Sequence, residues 1–294
     1  MVVSAADPGL FDRMIDVDGG DVRLTCGVAG EGPLVLCAHG FPDTFRTYRE
    51  QIPALRDAGY QIVSVCMRGY APSTPSRIGR YDVPSLGRDL CAVAKALSPD
   101  QPVRLIGHDW GAIAAYAATA LRPDRFSHLV TMAVPHFRVA AVRYLRPSQL
   151  RRSWYVGMFQ LRGLAERRLL AEDMAVIEQL WRDWSPGYVC PPEEMASVKA
   201  AIRPQVSDVL GYYRAAFAPG GLFGEARRLL FSRTDVPAMY VHGEQDGCVG
   251  AELCRGIESA YLQGVETLRV PTAGHFVHLE EPALVNRKLL SFFG

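Results

Sequence analysis

The strongest constraint on the fold is a tight turn between a strand and a helix. Residues 103–107 form a short apolar run typical of a buried strand, and residues 111–121 form an alanine-rich run typical of a helix. They are joined by Gly107-His108-Asp109-Trp110-Gly111, in which two glycines flank a central acid. Glycine permits the backbone angles and close approaches that such a turn requires. The stretch therefore predicts a strand that ends in a sharp turn carrying Asp109 and continues directly into a helix.

Short apolar strands alternate with helices on both sides of this turn. We predict strands at 21–28, 34–38, 61–67, 128–134, 237–241 and 266–270, and helices at 48–58, 83–96 and 282–293. The glycine turn GEGP is expected to join the first two strands as a hairpin. This alternation predicts an α/β fold with a mostly parallel central sheet flanked by helices.

The pattern changes after Val134, where the chain becomes helical, arginine-rich and aromatic until about residue 216. We interpret this stretch as a helical cap, or lid, inserted into the sheet. The predicted division is a first core segment at 1–134, the cap at 135–230 and a second core segment at 231–294.

Composition excludes several classes of protein. The 294 residues carry a net charge of +1 and no Lys/Arg run, which argues against nucleic acid or an anionic membrane surface as a partner. The longest apolar run, 110–121, is too short to span a bilayer, and the first residues lack the features of a signal peptide. Seven scattered cysteines without a C-x-x-C pair favour reduced thiols in the cytoplasm. The oligomeric state stays open, with a homodimer among the options.

The turn at Asp109 has the form of a nucleophile elbow, in which the central side chain stands exposed at the end of a strand. The following helix N-terminus favours an ionised carboxylate there. The alternative is that Asp109 only caps that helix. His39-Gly40-Phe41-Pro42 follows another strand, and the N–H groups of Phe41 and Trp110 are expected to form an oxyanion hole.

A base and an acid that orients it are expected later in the chain. Asp246 follows the strand at 237–241, and His275 follows the strand at 266–270. The order Asp109, Asp246, His275 is that of nucleophile, acid and base in this kind of site. Glu244 is the alternative acid and His278 the alternative base. The remaining histidines considered are predicted to be structural: His108, His128, His136 and His242.

The motifs HGFPD, RGYAPS, GHDWG, HGEQD and GHFVHLEEP together resemble those of the epoxide hydrolases of the α/β-hydrolase superfamily. They occur in family order from about Asp16 to the end of the chain. The chain departs from the family at Cys66, where Asp is common, at Ala71, where Gly is frequent, and at Leu161-Arg162, where Glu-Pro is frequent. These departures remove no reacting group, but the cap changes leave the shape of the substrate open.

The resemblance implies two cap tyrosines that hydrogen-bond the epoxide oxygen. Residues 155–160 resemble the family's Y-x-x-x-F-Q segment, which assigns the first to Tyr155. Tyr212-Tyr213-Arg214 resembles the family's W-Y-R, which assigns the second to Tyr213, with Tyr212 as the alternative.

The implied reaction needs no cofactor and no metal. Asp109 attacks a small apolar epoxide to form an ester, and His275 then activates the water that hydrolyses it to a vicinal diol. One alternative is a haloalkane or haloacid dehalogenase that uses the same ester, although haloalkane dehalogenases usually have Asn at the position of Phe41. Another is a non-catalytic ligand-binding protein of this fold. A serine esterase is excluded because the elbow carries Asp109.

Overall fold

The computed structural model describes residues 9–218, 221 and 223–294. Part of the N-terminal stretch for which we expect no signal peptide lies outside these residues, as do positions 219, 220 and 222 of the predicted cap. In the part of the chain that the structure describes, no helix is both long and apolar enough to cross a membrane.

In the part of the chain that the structure describes, eight strands form a single sheet. Their bounds, in chain order from β1 to β8, are Arg13–Asp18, Arg23–Ala29, Leu34–Ala38, Gln61–Val65, Val103–His108, Phe126–Met132, Ala238–Gly243 and Val265–Val270. Their order in the sheet is β1-β2-β4-β3-β5-β6-β7-β8. Strand β2 pairs antiparallel with β1 and with β4, and all other pairings are parallel.

The parallel strands follow from their sequences. Every residue of β3 and of β7 is buried, as expected for strands covered on both faces by helices. Strand β8 lies at the edge of the sheet and leaves three of its polar side chains exposed, at Glu266, Thr267 and Arg269. The prediction of a mostly parallel sheet flanked by helices is confirmed.

Helices connect the strands in both core segments. Helix α2 packs against α3, and α1 packs against the final helix α13. The bounds of the core helices are Gln51–Asp57 (α1), Val83–Leu97 (α2), Trp110–Leu121 (α3), Val277–Glu280 (α12) and Pro282–Phe293 (α13). The helix predicted at 48–58 is observed only at Gln51–Asp57, because residues Phe45–Tyr48 form a separate 3-10 helix.

Among the residues described between β6 and β7, where we predict the cap, there are eight α-helices. They are Phe137–Ala140 (α4), Pro147–Arg152 (α5), Trp154–Phe159 (α6), Leu164–Leu170 (α7), Ala175–Trp184 (α8), Pro192–Ile202 (α9), Val206–Phe217 (α10) and Gly224–Phe231 (α11). The boundaries of the three segments remain a prediction.

The predicted hairpin across GEGP is wrong. Strand β2 pairs with β1, which sequence reasoning missed, and with β4, so that β4 lies between β2 and β3. Gly30 and Gly32 have φ angles of 72° and 112°, and a Cβ on Gly32 would overlap the carbonyl oxygen of Gly59. The glycines therefore mark a connection that passes close to the loop before β4, not a turn between paired strands.

Candidate active site

Asp109 stands at the turn between β5 and α3, as the sequence predicts. Its φ of 51° is unusual for a residue with a side chain. The flanking glycines make the turn possible, because a Cβ on Gly111 would overlap the carbonyl oxygen of Ala38, and one on Gly107 would overlap that of Gly111. The side chain does not cap its helix. A non-glycine residue held in this conformation is typical of a functional site rather than of an ordinary helix cap.

The N–H of Phe41 donates a hydrogen bond to Asp109 Oδ1 over 2.8 Å. Burial raises the pKa of the Asp109 carboxyl above its ordinary value, while His275 and the N–H groups of Phe41 and Trp110 counteract this rise. A helix N-terminus alone would lower the pKa of Asp109. The pKa is raised instead, because the loss of solvation on burial outweighs the hydrogen-bond donors. Asp109 Oδ1 therefore lies in the predicted oxyanion hole, whereas Asp109 Oδ2 faces His275.

His275 and Asp246 lie together beside this carboxylate. His275 Nδ1 is 2.9 Å from Asp246 Oδ2, and His275 Nε2 is 3.7 Å from Asp109 Oδ2. Asp246 Oδ1 accepts hydrogen bonds from the N–H groups of Cys248 and Val249, at 2.7 and 2.8 Å. Burial opposes the charging of His275, but Asp246, with its hydrogen bond, and Asp109 raise the pKa of His275 above its ordinary value.

The alternative acid and base point elsewhere. Glu244 is partly exposed and pairs with Arg269 at 3.1 Å. His278 is on α12, with Nε2 2.8 Å from the Thr47 hydroxyl, and burial lowers its pKa to about 3. Neither side chain contacts the Asp109–His275 pair through a hydrogen bond in the described residues.

A cavity of about 400 Å³ opens above Asp109. Its wall is mainly apolar, and Tyr155 and Tyr213 both line it. Their ring centroids are 5.8 Å apart. Burial raises the pKa of both phenols well above the ordinary value, so they remain protonated donors. The Tyr213 side chain is buried, and interactions of its hydroxyl with Trp110 and Tyr155 partly counteract this rise.

Tyr212 faces away from the cavity. Its hydroxyl donates to the carbonyl oxygen of Arg68 at 2.7 Å, and it is not among the residues that line the cavity. A larger cavity of about 770 Å³ borders charged side chains such as Arg80 and Arg162, and neither Asp109 nor the two tyrosines line it.

Sequence reasoning missed two neighbours of the site, Cys248 and the carbonyl oxygen of Trp184. Cys248 lines the cavity with its sulfur 3.3 Å from the Tyr155 hydroxyl. The carbonyl oxygen of Trp184, at the end of α8, accepts the N–H groups of both His275 and Gly247, at 3.0 and 3.1 Å. His108 was predicted to be structural, and its ring packs 4.8 Å from that of His275. The only available signal for Cys248 was its position two residues after Asp246.

Ligand atoms of Asp109, Cys248 and His275 lie within 4.8 Å of one another, a spacing compatible with a metal ion. The same three side chains already interact with the groups described above. Asp109 faces His275, and Cys248 contacts Tyr155. The cluster is thus accounted for by contacts within the site.

Known proteins share this architecture. The chain matches the alpha/beta hydrolase fold family over residues 33–282. The chain belongs to the α/β-hydrolase fold family.

This α/β-hydrolase has epoxide hydrolases among its relatives. It is 28% identical to epoxide hydrolase A of Mycobacterium tuberculosis, with 96% of each chain covered. It is 30% identical to epoxide hydrolase 3 of Xenopus tropicalis over 88% of this chain and 71% of that protein. A crystal structure of a mutant epoxide hydrolase from Bacillus megaterium superposes with a TM-score of 0.81 and 25% identity, covering 95% of this chain and 99% of that one. The protein is therefore a hydrolase whose relatives hydrolyse epoxides.

Proposed function

We propose that this α/β-hydrolase adds water to a small apolar epoxide through a covalent ester on Asp109. The observation that carries the proposal is the pairing of a strained Asp109 with two protonated cap tyrosines across one apolar cavity. A carboxylate opens an epoxide by displacement at carbon, and a phenol supplies the proton that the leaving oxygen needs.

In the first step, Asp109 Oδ2 attacks an epoxide carbon, because Oδ1 is held by the Phe41 N–H. The carbon–oxygen bond of the ring breaks, and the released oxygen takes a proton from Tyr155 or Tyr213. The product of this step is a hydroxyalkyl ester on Asp109. Tyr213 suits the task because it lines the same apolar cavity as Asp109 and keeps its proton.

In the second step, His275 Nε2 removes a proton from water, which attacks the carbonyl carbon of the ester. Asp246 stabilises the imidazolium and fixes the tautomer that leaves Nε2 free to accept. The N–H groups of Phe41 and Trp110 stabilise the oxyanion that forms. Collapse of this intermediate releases the diol and restores the Asp109 carboxylate, and the proton on His275 returns to the tyrosinate.

A single turnover in ¹⁸O-water with excess enzyme tests the ester. Label is expected in the Asp109 carboxylate, because water attacks the ester at its carbonyl carbon. Label found only in the diol would mean that water attacks the epoxide directly. His275→Gln is expected to accumulate the ester, seen as an increase in intact mass, whereas the matched His278→Gln is not.

A panel of aryl, alkyl and lipid epoxides, with haloalkanes and fluoroacetate, distinguishes the reaction classes. Diol formation without halide release supports the proposal. Halide release from the haloalkanes with no diol from any epoxide would assign the site to dehalogenation. All seven cysteines are free thiols, which supports a reducing compartment and, we propose, the cytoplasm.

A further inference from the structure

The whole-chain charge of +1 argues against an anionic membrane as a partner, but residues 125–165, most of them in the predicted cap, are strongly cationic and reverse that expectation locally. Between Asp124 and Glu166 the sequence has no acidic residue, yet it contains seven arginines, at positions 125, 138, 143, 146, 151, 152 and 162. An excess of one sign over about forty residues creates a local field that the whole-chain balance does not reveal. The stretch includes the first three cap helices, α4 to α6.

Large apolar side chains on the same stretch are exposed. Val142 is 81% exposed, Leu145 is 71% exposed and Leu150 is 54% exposed. They alternate in sequence with Arg146 and Arg151, which are also exposed and have no ion-pair partner among the described residues. Exposed apolar side chains interleaved in sequence with unpaired cations favour a surface that binds a partner.

Other arginines of the stretch are already engaged. Arg143 donates to three carbonyl oxygens, including that of Leu253, and Arg152 pairs with Glu252 at 3.2 Å. These contacts hold the segment against the core. Arg146, Arg151 and Arg162 have no ion pair in the described residues, and Arg162 borders the separate cavity of about 770 Å³. Arg146 and Arg151 are thus the unpaired cations that lie in sequence beside the exposed apolar side chains.

This surface adjoins the mouth of the cavity above Asp109. Leu145 lines that cavity, together with Phe217 and Phe223, which are 65% and 71% exposed. Leu145, Phe217 and Phe223 therefore line the cavity and are also exposed to solvent. A partner seated on Leu145 would lie next to the entrance of the cavity.

We propose that Val142, Leu145, Arg146, Leu150 and Arg151, the cap patch, dock this protein on the surface of an anionic lipid bilayer. Apolar side chains that enter the interface beside arginines that meet lipid phosphates are the combination by which peripheral proteins bind such surfaces. Nucleic acid would satisfy the arginines but leave the apolar side chains without a role. A symmetric dimer through this patch would place arginines opposite arginines.

Docking of the cap patch would place the entrance of the cavity against the lipid. An apolar epoxide partitions into a bilayer, and the entrance at Leu145 would receive it without passage through water. This last step rests on the proposed function, whereas the docking itself does not, because it is measured without turnover.

Sedimentation of the full chain with vesicles tests the docking. We expect binding to phosphatidylglycerol–phosphatidylcholine vesicles at low salt and much weaker binding to pure phosphatidylcholine. Arg146→Gln/Arg151→Gln is expected to weaken binding about 30-fold, from ~1 kcal/mol per cation at such a surface. Val142→Ser/Leu150→Ser is expected to weaken it about tenfold through lost apolar burial. The matched controls, Arg287→Gln and Ile78→Ser, change exposed residues elsewhere and should bind as the parent does.

Several results would overturn the docking. Absence of sedimentation with anionic vesicles at low salt is one, and equal binding by the parent and both cap-patch variants is another. Binding to duplex DNA as tight as to the vesicles, unchanged by Val142→Ser/Leu150→Ser, would show a general polyanion surface. A dimer in solution that the same variants dissociate would make the patch a contact between copies of this chain.

Discussion

His275 Nδ1 lies 2.9 Å from Asp246 Oδ2, while the opposite nitrogen of the same ring faces Asp109 at 3.7 Å. The Asp246 carboxylate thus orients the His275 imidazole toward the Asp109 carboxylate. Burial of all three side chains makes both interactions strong, because little solvent screens them.

This relationship predicts the effect of Asp246→Asn. The amide would donate where the carboxylate accepts, so His275 would present the wrong tautomer, and ester hydrolysis should slow by about 10⁴-fold. Loss of a charge that raises the pKa of His275 lowers that pKa. Because the base works when neutral, the acid limb of the hydrolysis rate should move to lower pH.

Rapid-quench measurement of ester decay across pH checks both effects. Glu244→Gln is the matched control, since Glu244 follows the same strand but pairs with Arg269 outside the site. An acid limb displaced to higher pH in Asp246→Asn would contradict the assignment of Asp246 as the partner of His275.

The cap tyrosines should act on the first step alone. Tyr155→Phe and Tyr213→Phe each remove a proton donor from the cavity and should slow ester formation by about 100-fold. Ester hydrolysis should be nearly unaffected, because neither hydroxyl contacts His275 through a hydrogen bond in the described residues. Single-turnover kinetics of ester formation and decay separates the two steps.

Tyr212→Phe is the control for these variants, because its hydroxyl binds the Arg68 carbonyl oxygen instead of facing the cavity. It should lose about 1 kcal/mol of folding free energy and keep its rate of ester formation. A slower first step in Tyr212→Phe than in Tyr213→Phe would exchange the roles of the two residues.

The sequence predicted most of the core because its signals are local. The apolar run before Gly107, the flanking glycines and the alanines after Trp110 all act within one strand and one helix. The order of Asp109, Asp246 and His275 follows from strand ends meeting at one edge of a parallel sheet. The position of the elbow therefore follows from local sequence signals.

The missed features depend on contacts between distant segments. The placement of β4 between β2 and β3 depends on which neighbours bury β3, and the GEGP turn looks the same in either arrangement. The carbonyl oxygen of Trp184 meets His275 only because α8 ends against the loop that holds it. A backbone acceptor leaves no trace in residue type, so no motif could reveal it.

Cys248 is expected to position Tyr155. Its sulfur is 3.3 Å from the phenol oxygen, and burial raises the pKa of the thiol well above its ordinary value, so it acts as a neutral group. Cys248→Ala should slow ester formation by about threefold to tenfold, the worth of ~0.5–1.5 kcal/mol of hydrogen bonding. Ester hydrolysis should not change.

The matched variant is Cys254→Ala. It removes a buried thiol that contacts the carbonyl oxygen of Ala251 instead of Tyr155. Equal slowing of both steps in Cys248→Ala would indicate general distortion of the loop that carries Asp246. Retention of the full rate of ester formation would show that the phenol needs no partner in the free enzyme.

Arg68 is expected to stabilise the core next to α10, the helix that carries Tyr212 and Tyr213. Its side chain and that of Asp89 are each 1% exposed, with Nε 2.6 Å from Oδ2, and its carbonyl oxygen accepts the Tyr212 hydroxyl. Arg68→Met would leave the Asp89 carboxylate buried without a cation, which typically costs about 3–5 kcal/mol of folding free energy. Urea unfolding measures this loss, and Arg122→Met, in an exposed pair with Asp124, should unfold as the parent does.

The loss in Arg68→Met should depend on pH with a definite sign. Burial raises the pKa of Asp89 and Arg68 counteracts this, so removing Arg68 favours the protonated carboxyl in the folded protein. A group that binds its proton more tightly when folded stabilises the fold as pH falls. Arg68→Met should therefore lose less free energy of unfolding near pH 5 than near pH 8, relative to the parent. A loss that is constant across this range would mean that Asp89 reaches solvent once Arg68 is gone.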